Sequence, residues 1–209
     1  MQFNRGANVV TSDGKGAGHV DRVVLDPKTK EITHLVIRRG LLQKEDRVVP
    51  INVVTSKYGG ELTLELPSTE FEGLPVFEEE QLIPVNENQS GDPSSTALSP
   101  AYPGGAAGFA NTGPQYRRET HLNIPDQTVA LKEGARVVDH DNVEVGQVAQ
   151  VLTGTPPVEV SHFLIAKGLL VKEHRLIPAE WVESLRDDEV QLTVTADAVE
   201  KLPIVEPAA

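Results

Sequence analysis

Residues 6–75 recur without a gap as residues 134–203. Sliding the chain by 128 positions sets Gly6 on Gly134 and Pro75 on Pro203, with about 25 identities over about 70 positions. Identity of that density across an ungapped stretch means that both copies share one fold. A chain of 209 residues is therefore restricted to folds that fit into roughly 70 residues and occur twice. Retained pairs include Asp13 with Asp141, Gly18 with Gly146, His34 with His162, Arg47 with Arg175 and Pro50 with Pro178.

Within each copy the apolar residues alternate with period two and turn residues interrupt them every eight to ten positions, the pattern of a small antiparallel barrel or sandwich. Strands are expected near 7–11, 18–26, 31–39, 46–50, 52–56 and 61–66, and again near 135–139, 146–153, 158–167, 174–178, 180–184 and 189–195. Each copy closes with a short helical turn, opened by Ser68 or Thr195 as cap and stopped by Pro75 or Pro203. Phe71, Leu74 and Phe77, with Val199, Leu202 and Val205, are the expected lids. Residues 86–120 are rich in Asn, Ser, Pro, Gly and Ala and lack aliphatic periodicity, so they do not offset their ordering entropy by burial. They read as a flexible linker spanning on the order of 30 Å. The expected domains are 1–85, the linker 86–120, and 121–209. A 70-residue domain without disulfide or metal is marginal alone, so pairing of the copies within the chain, or a homodimer, is expected.

Composition narrows the function. No run of about 18 apolar residues exists, and the first residues lack a basic, then apolar, secretory signal, so no transmembrane segment and a cytoplasmic location are expected. The chain has no cysteine, which excludes disulfides, thiolate metal sites and cysteine nucleophiles. A net charge of −12 opposes binding to phosphate backbones, and the densest basic stretches, Arg38-Arg39 and Arg117-Arg118, are too short to reverse it. No nucleic-acid partner is expected.

The segment Ile32-Thr33-His34-Leu35-Val36-Ile37-Arg38-Arg39-Gly40-Leu41-Leu42, followed by Glu45-Asp46-Arg47-Val48-Val49-Pro50, returns as Val160 to Leu170 followed by Glu173 to Pro178. With the upstream Asp13 to Val20 and Asp141 to Val148 segments it resembles the PRC-barrel family, whose members include the cytoplasmic domain of the photosynthetic reaction-centre H subunit and the C-terminal half of the ribosome maturation factor RimM. The resemblance implies an all-β fold of two small antiparallel PRC-type β-barrels related by internal duplication. It implies docking onto partners and supplies no shared catalytic residues.

Candidate functional residues follow from the repeat. Leu41, Leu42, Lys44, Glu45 and Arg47 recur as Leu169, Leu170, Lys172, Glu173 and Arg175, apolar residues edged by charge, as in an interaction surface. His34 and His162 recur on strands where Ile32, His34 and Val36 share a face, but without a second ligand at metal spacing they read as structural. Asp139 to Glu144 alternates oxygen ligands yet lacks the glycine and terminal glutamate of a calcium loop, so it reads as a turn of solvated polar residues. Gly14, Gly16 and Gly18 precede a strand, which makes them a hairpin turn instead of a phosphate cradle. Trp181, opposite Val53 in the repeat, reads as a packing residue. The expected function is a non-enzymatic scaffold or adaptor for a protein partner, with no cofactor and no metal. A ligand- or metal-sensing module using the barrel strands or the cleft between barrels is the alternative.

Overall fold

A computed structural model describes residues 2–3, 6–39, 45–56, 61–84, 116–154, 159–168 and 172–206. In chain order the elements are β1 (Gln2–Phe3), β2 (Asn8–Val10), β3 (Gly16–Leu25), β4 (Ile32–Arg39), β5 (Glu45–Pro50), β6 (Val54–Ser56), β7 (Leu62–Leu64) and α1 (Ser68–Glu72). After β8 (Glu78–Pro84) and β9 (Tyr116–Leu122) come β10 (Val129–Lys132), β11 (Arg136–Val138), β12 (Glu144–Thr153), β13 (Val160–Lys167), β14 (Glu173–Pro178), β15 (Val182–Leu185), β16 (Glu189–Leu192), α2 (Ala196–Glu200) and β17 (Ile204–Val205). The protein is mostly β, and its strands form two curled sheets and one two-stranded ribbon.

One sheet runs β5-β4-β3-β2-β7-β6 and the other β15-β16-β11-β12-β13-β14-β17. The repeat holds at the level of register. His19 pairs with Arg38 and Val20 with Ile37, while Gln147 pairs with Ala166 and Val148 with Ile165, each 128 positions on. Even the irregularities recur: Asp21 and Ala149 are the extra residues of one bulge, Thr33 and Ser161 of a second. The hydroxyls of Thr33 and Ser161 donate to the Val24 and Leu152 carbonyls at 3.3 and 3.2 Å, the same bond in each sheet. Gly18, at φ 130°, lies so close to β4 that an added Cβ would run into the Arg38 carbonyl oxygen. Its counterpart Gly146 would meet the Ala166 carbonyl oxygen at 2.8 Å, so close strand approach explains why both copies keep this glycine.

The two copies exchange strands. β10, which opens the second copy, pairs antiparallel with β3, setting Ala130 against Val24 and Leu131 against Val23. β1 pairs with β12 in the equivalent register, Gln2 against Leu152 and Phe3 against Val151. Glu31 bridges Glu159, its own repeat partner, which marks the pseudo-twofold between the sheets. One hydrophobic core joins both, with Leu35, Ile37 and Phe71 in the same cluster as Leu131, Phe163 and Val199. Residues 1–77 and 122–209 form one compact unit, and residues 78–121 another.

Four expectations are corrected. Residues 116–120, read as the end of the linker, lie in β9, which pairs with β8, and Arg118 meets Glu80 at 3.6 Å. Residues 85–115 lie outside the described residues. Ser68 does not cap α1: Pro67 holds that position and Ser68 is the first helical residue. Phe77 does not lid the main core; it packs with Val24, Val36 and Val48 on the opposite face of the first sheet. Ile32 does not share a face with Val36, because the Thr33 bulge shifts the alternation and places Ile32 with Leu35 and Ile37 in the main core. Leu74 packs against that core as expected, as do Trp181 and Leu202.

Candidate functional site

The charged rim expected from the sequence falls, in chain order, between and beside β4 and β5 and again β13 and β14. Leu41, Leu42, Lys44, Leu169 and Leu170 are outside the described residues, and of Glu45 only the backbone is described, paired with Arg39. The rest are partly engaged in the fold. Arg47 is half-buried and its Nη1 donates to the Leu74 carbonyl at 2.6 Å, tying β5 to the segment after α1. Arg175 is largely covered and pairs with the exposed Glu173 at 3.0 Å. Lys172 is exposed at the base of the second hairpin and lines an open concavity of about 430 Å³ with Glu144, Gly146, Gln147, Ala166, Lys167 and Gly168.

His34 and His162 are half-buried, opposite Pro50 and Pro178 on the neighbouring strands. Burial pushes His34 below the ordinary histidine value, and its buried Nδ1 has no hydrogen-bond partner. The expected histidine bond to a neighbouring strand is not made through that nitrogen. Among the described residues no three His, Asp or Glu side chains gather as metal ligands.

The polar turn at 139–144 has a different role from the one expected. Asp139 is buried, and its Oδ1 accepts the N–H groups of Asp141 and Val143 at 2.9 and 2.8 Å. Its Oδ2 accepts the N–H of Ala196 at 2.8 Å, which satisfies a free donor at the start of α2. These bonds, led by the Val143 N–H, hold its carboxyl below the ordinary aspartate range. In the first copy Asp13 takes the helix, accepting from the Ser68 N–H at 3.1 Å and the Ser68 hydroxyl at 2.8 Å, while Thr11, at the position of Asp139, donates to it at 2.5 Å. The carboxylate has moved two positions along the chain and kept its function.

Each arginine of the two basic stretches has a carboxylate partner. Arg38 reaches the buried Asp21 at 2.8 Å and Asp46 at 3.2 Å, Arg39 meets Glu72 at 3.0 Å, and Arg117 and Arg118 pair with Glu119 and Glu80. Neither stretch presents uncompensated positive charge. The Asp21–Arg38–Asp46 cluster was not singled out by sequence reasoning, yet it leaves a trace in the repeat: its three members become Ala149, Ala166 and His174 together. Beside it, the Arg22 guanidinium lies over the Phe77 ring, 5.1 Å from its centre. Among the described residues no helix is long and apolar enough to cross a membrane.

Comparison with known families divides the chain as the repeat does. Residues 5–64 match the PRC-barrel domain family, and residues 131–200 match a family described as an uncharacterized protein conserved in bacteria (DUF2171). No curated protein matches the chain.

Proposed function

Residues 5–64 are a PRC-barrel domain, and from that premise we propose that the chain is a tandem of two PRC-type barrels arisen by internal duplication and acts as a non-enzymatic adaptor in the cytoplasm. The observation that supports this reading is the register repeat at 128 positions, bulges included. On this reading the repeated Gly-Leu-Leu segments offer a partner the same sequence twice in one chain. A partner that engages both gains avidity without any new kind of contact. The Gly-Leu-Leu hairpins, flanked by Lys172 and Glu173, are the proposed docking rim. The alternative, a ligand-binding module, is favoured by one observation: the concavity beside Lys172, where Ala166 replaces the large Arg38 of the first copy.

Affinity purification of the tagged protein from its own cells tests the adaptor reading. A protein partner recovered with the parent chain, and lost with the folded Leu42→Ser/Leu170→Ser variant, supports it. Equal recovery of the partner by parent and variant removes the hairpins from the interface. Stoichiometric co-purification of a small molecule, lost on Ala166→Arg, transfers the function to the concavity.

A further inference from the structure

The outer faces of the two sheets are built alike and covered differently. On the first sheet Val24, Val36, Val48 and Phe77 are at most 4% exposed, because Ala130 flanks Val24 on the paired strand β10 and the side chains of Leu122 and Ile124 pack against them. The covering segment follows the end of β9 and is anchored at its centre: the Asn123 N–H donates to the Phe77 carbonyl at 3.0 Å and its Nδ2 to the Val76 carbonyl at 2.8 Å. On the second sheet the equivalent positions are Leu152, Leu164, Leu176 and Val205. Leu164 is buried, but Leu152, Leu176 and Val205 are only half-buried. β17, which carries Ile204 and Val205, is the outer strand of its sheet.

Charge has been removed from this face as well. Arg22, Arg38 and Asp46 of the first copy are Gln150, Ala166 and His174 in the second, so the second face carries no arginine or carboxylate at those positions. We propose that the outer face of the second sheet is a docking site for an extended peptide segment of a protein partner. That peptide carries two aliphatic side chains at alternate positions and lies along β17, as Leu122-Asn123-Ile124 lies along residues 76–77 of the first copy. The occupant's chemistry is read from the covered face of the same molecule. The backbone N–H of the residue between the two aliphatics meets the Val205 carbonyl, an asparagine side chain there reaches that of Ile204, and the aliphatics close over Leu152, Leu164 and Leu176. This is strand addition at a sheet edge, with main-chain bonds supplying affinity and alternate side chains supplying selectivity. The inference extends the adaptor reading to a specific surface and does not use the Gly-Leu-Leu hairpins.

The probe is a fluorescein-labelled peptide with the sequence of residues 119–127, Glu-Thr-His-Leu-Asn-Ile-Pro-Asp-Gln, titrated with the full chain by fluorescence anisotropy. Saturable binding is expected, weakened at least tenfold when both aliphatic residues of the peptide are serine. Leu176→Asp in the full chain should weaken it as much while circular dichroism stays unchanged. Leu152→Ser, a milder change on the same face, serves if the aspartate variant does not fold. Binding that survives both substitutions in folded protein overturns the proposal, as does a peptide that does not bind at all. A concentration-dependent dimer dissolved by Leu176→Asp, without peptide binding, gives the face to a second copy of the chain and also overturns it. The Leu42→Ser/Leu170→Ser variant should bind the peptide unchanged, which separates failure of the hairpin surface from failure of this one.

Discussion

Asp13 and Asp139 perform the same task from positions that are two residues apart in the repeat, although Asp13 has its own counterpart in Asp141. Each ties the turn after the first long-range strand of its copy to the helix that follows, and each is held below the ordinary aspartate range by the donors it accepts: Thr11 and Ser68 for Asp13, Val143 foremost for Asp139. His34 is perturbed in the same direction by a different cause, burial without a partner for Nδ1. The two kinds of group separate in pH. With the folded histidine value lowered, the unfolded chain takes up the proton first, so stability is fully present above the ordinary value of 6.5 and falls as pH drops below it. The aspartates, also lowered, contribute fully above 3.8 and lose that contribution only as pH falls through their folded values. Urea midpoints measured from pH 8 to pH 2 should fall in two stages. His34→Gln should flatten the first, and Asp139→Asn should diminish the second while leaving the first in place. A first stage unchanged in His34→Gln would mean that His34 does not titrate with folding.

At the scale of the strand, the repeat's fixed points are places where backbones meet. Gly18 and Gly146 sit in the left-handed range of φ with a neighbouring carbonyl where a Cβ would be, so alanine must push β3 from β4, or β12 from β13. Gly18→Ala and Gly146→Ala should each cost more than about 1 kcal/mol in urea unfolding, the former more because its clash is closer. Equal, negligible losses would mean that the strands separate freely there. Much of this architecture was legible beforehand. The apolar stretches Val23 to Leu25 and Leu35 to Ile37, bounded by turn residues, located the long strands within a few positions. What escaped was whatever depends on pairing partners instead of on pattern. Val129-Ala130-Leu131-Lys132 is too short to show a period, and its strand character comes from lying against β3. The Thr33 bulge puts Ile32 and His34 on opposite faces without changing any residue type, so counting by twos put Ile32 on the wrong side. For the candidate site, the repeat singles out Lys172, Glu173 and Arg175 as residues shared by both copies. The half-covered outer face needed the structure, because its meaning lies in what covers its twin.

The whole molecule is held together by reciprocity. Each sheet borrows its neighbour's first strand, Glu31 meets Glu159 across the pseudo-twofold, and the main core runs through both copies without a break. A unit of about 70 residues alone buries only about 60% of the surface its unfolded chain exposes, and sharing strands puts both copies around one core. If the strand exchange governs stability, the two sheets must unfold as one. Trp181 reports on this, since it is the only tryptophan, belongs to the second copy and packs against the shared core. Leu35 lies in the first sheet, fully buried. Leu35→Ala leaves a cavity there and should cost about 2–5 kcal/mol. In a single cooperative unit the Trp181 fluorescence midpoint in urea should shift by the same amount as the midpoint from circular dichroism, although the substitution is in the other copy. Two independent barrels would give a different result: an unchanged Trp181 transition and a split one by circular dichroism. Coincident shifts would make the tandem, and not the single barrel, the unit of folding. A partner binding either sheet would then stabilise both, because a ligand held by the native state raises the stability of everything that unfolds with its site.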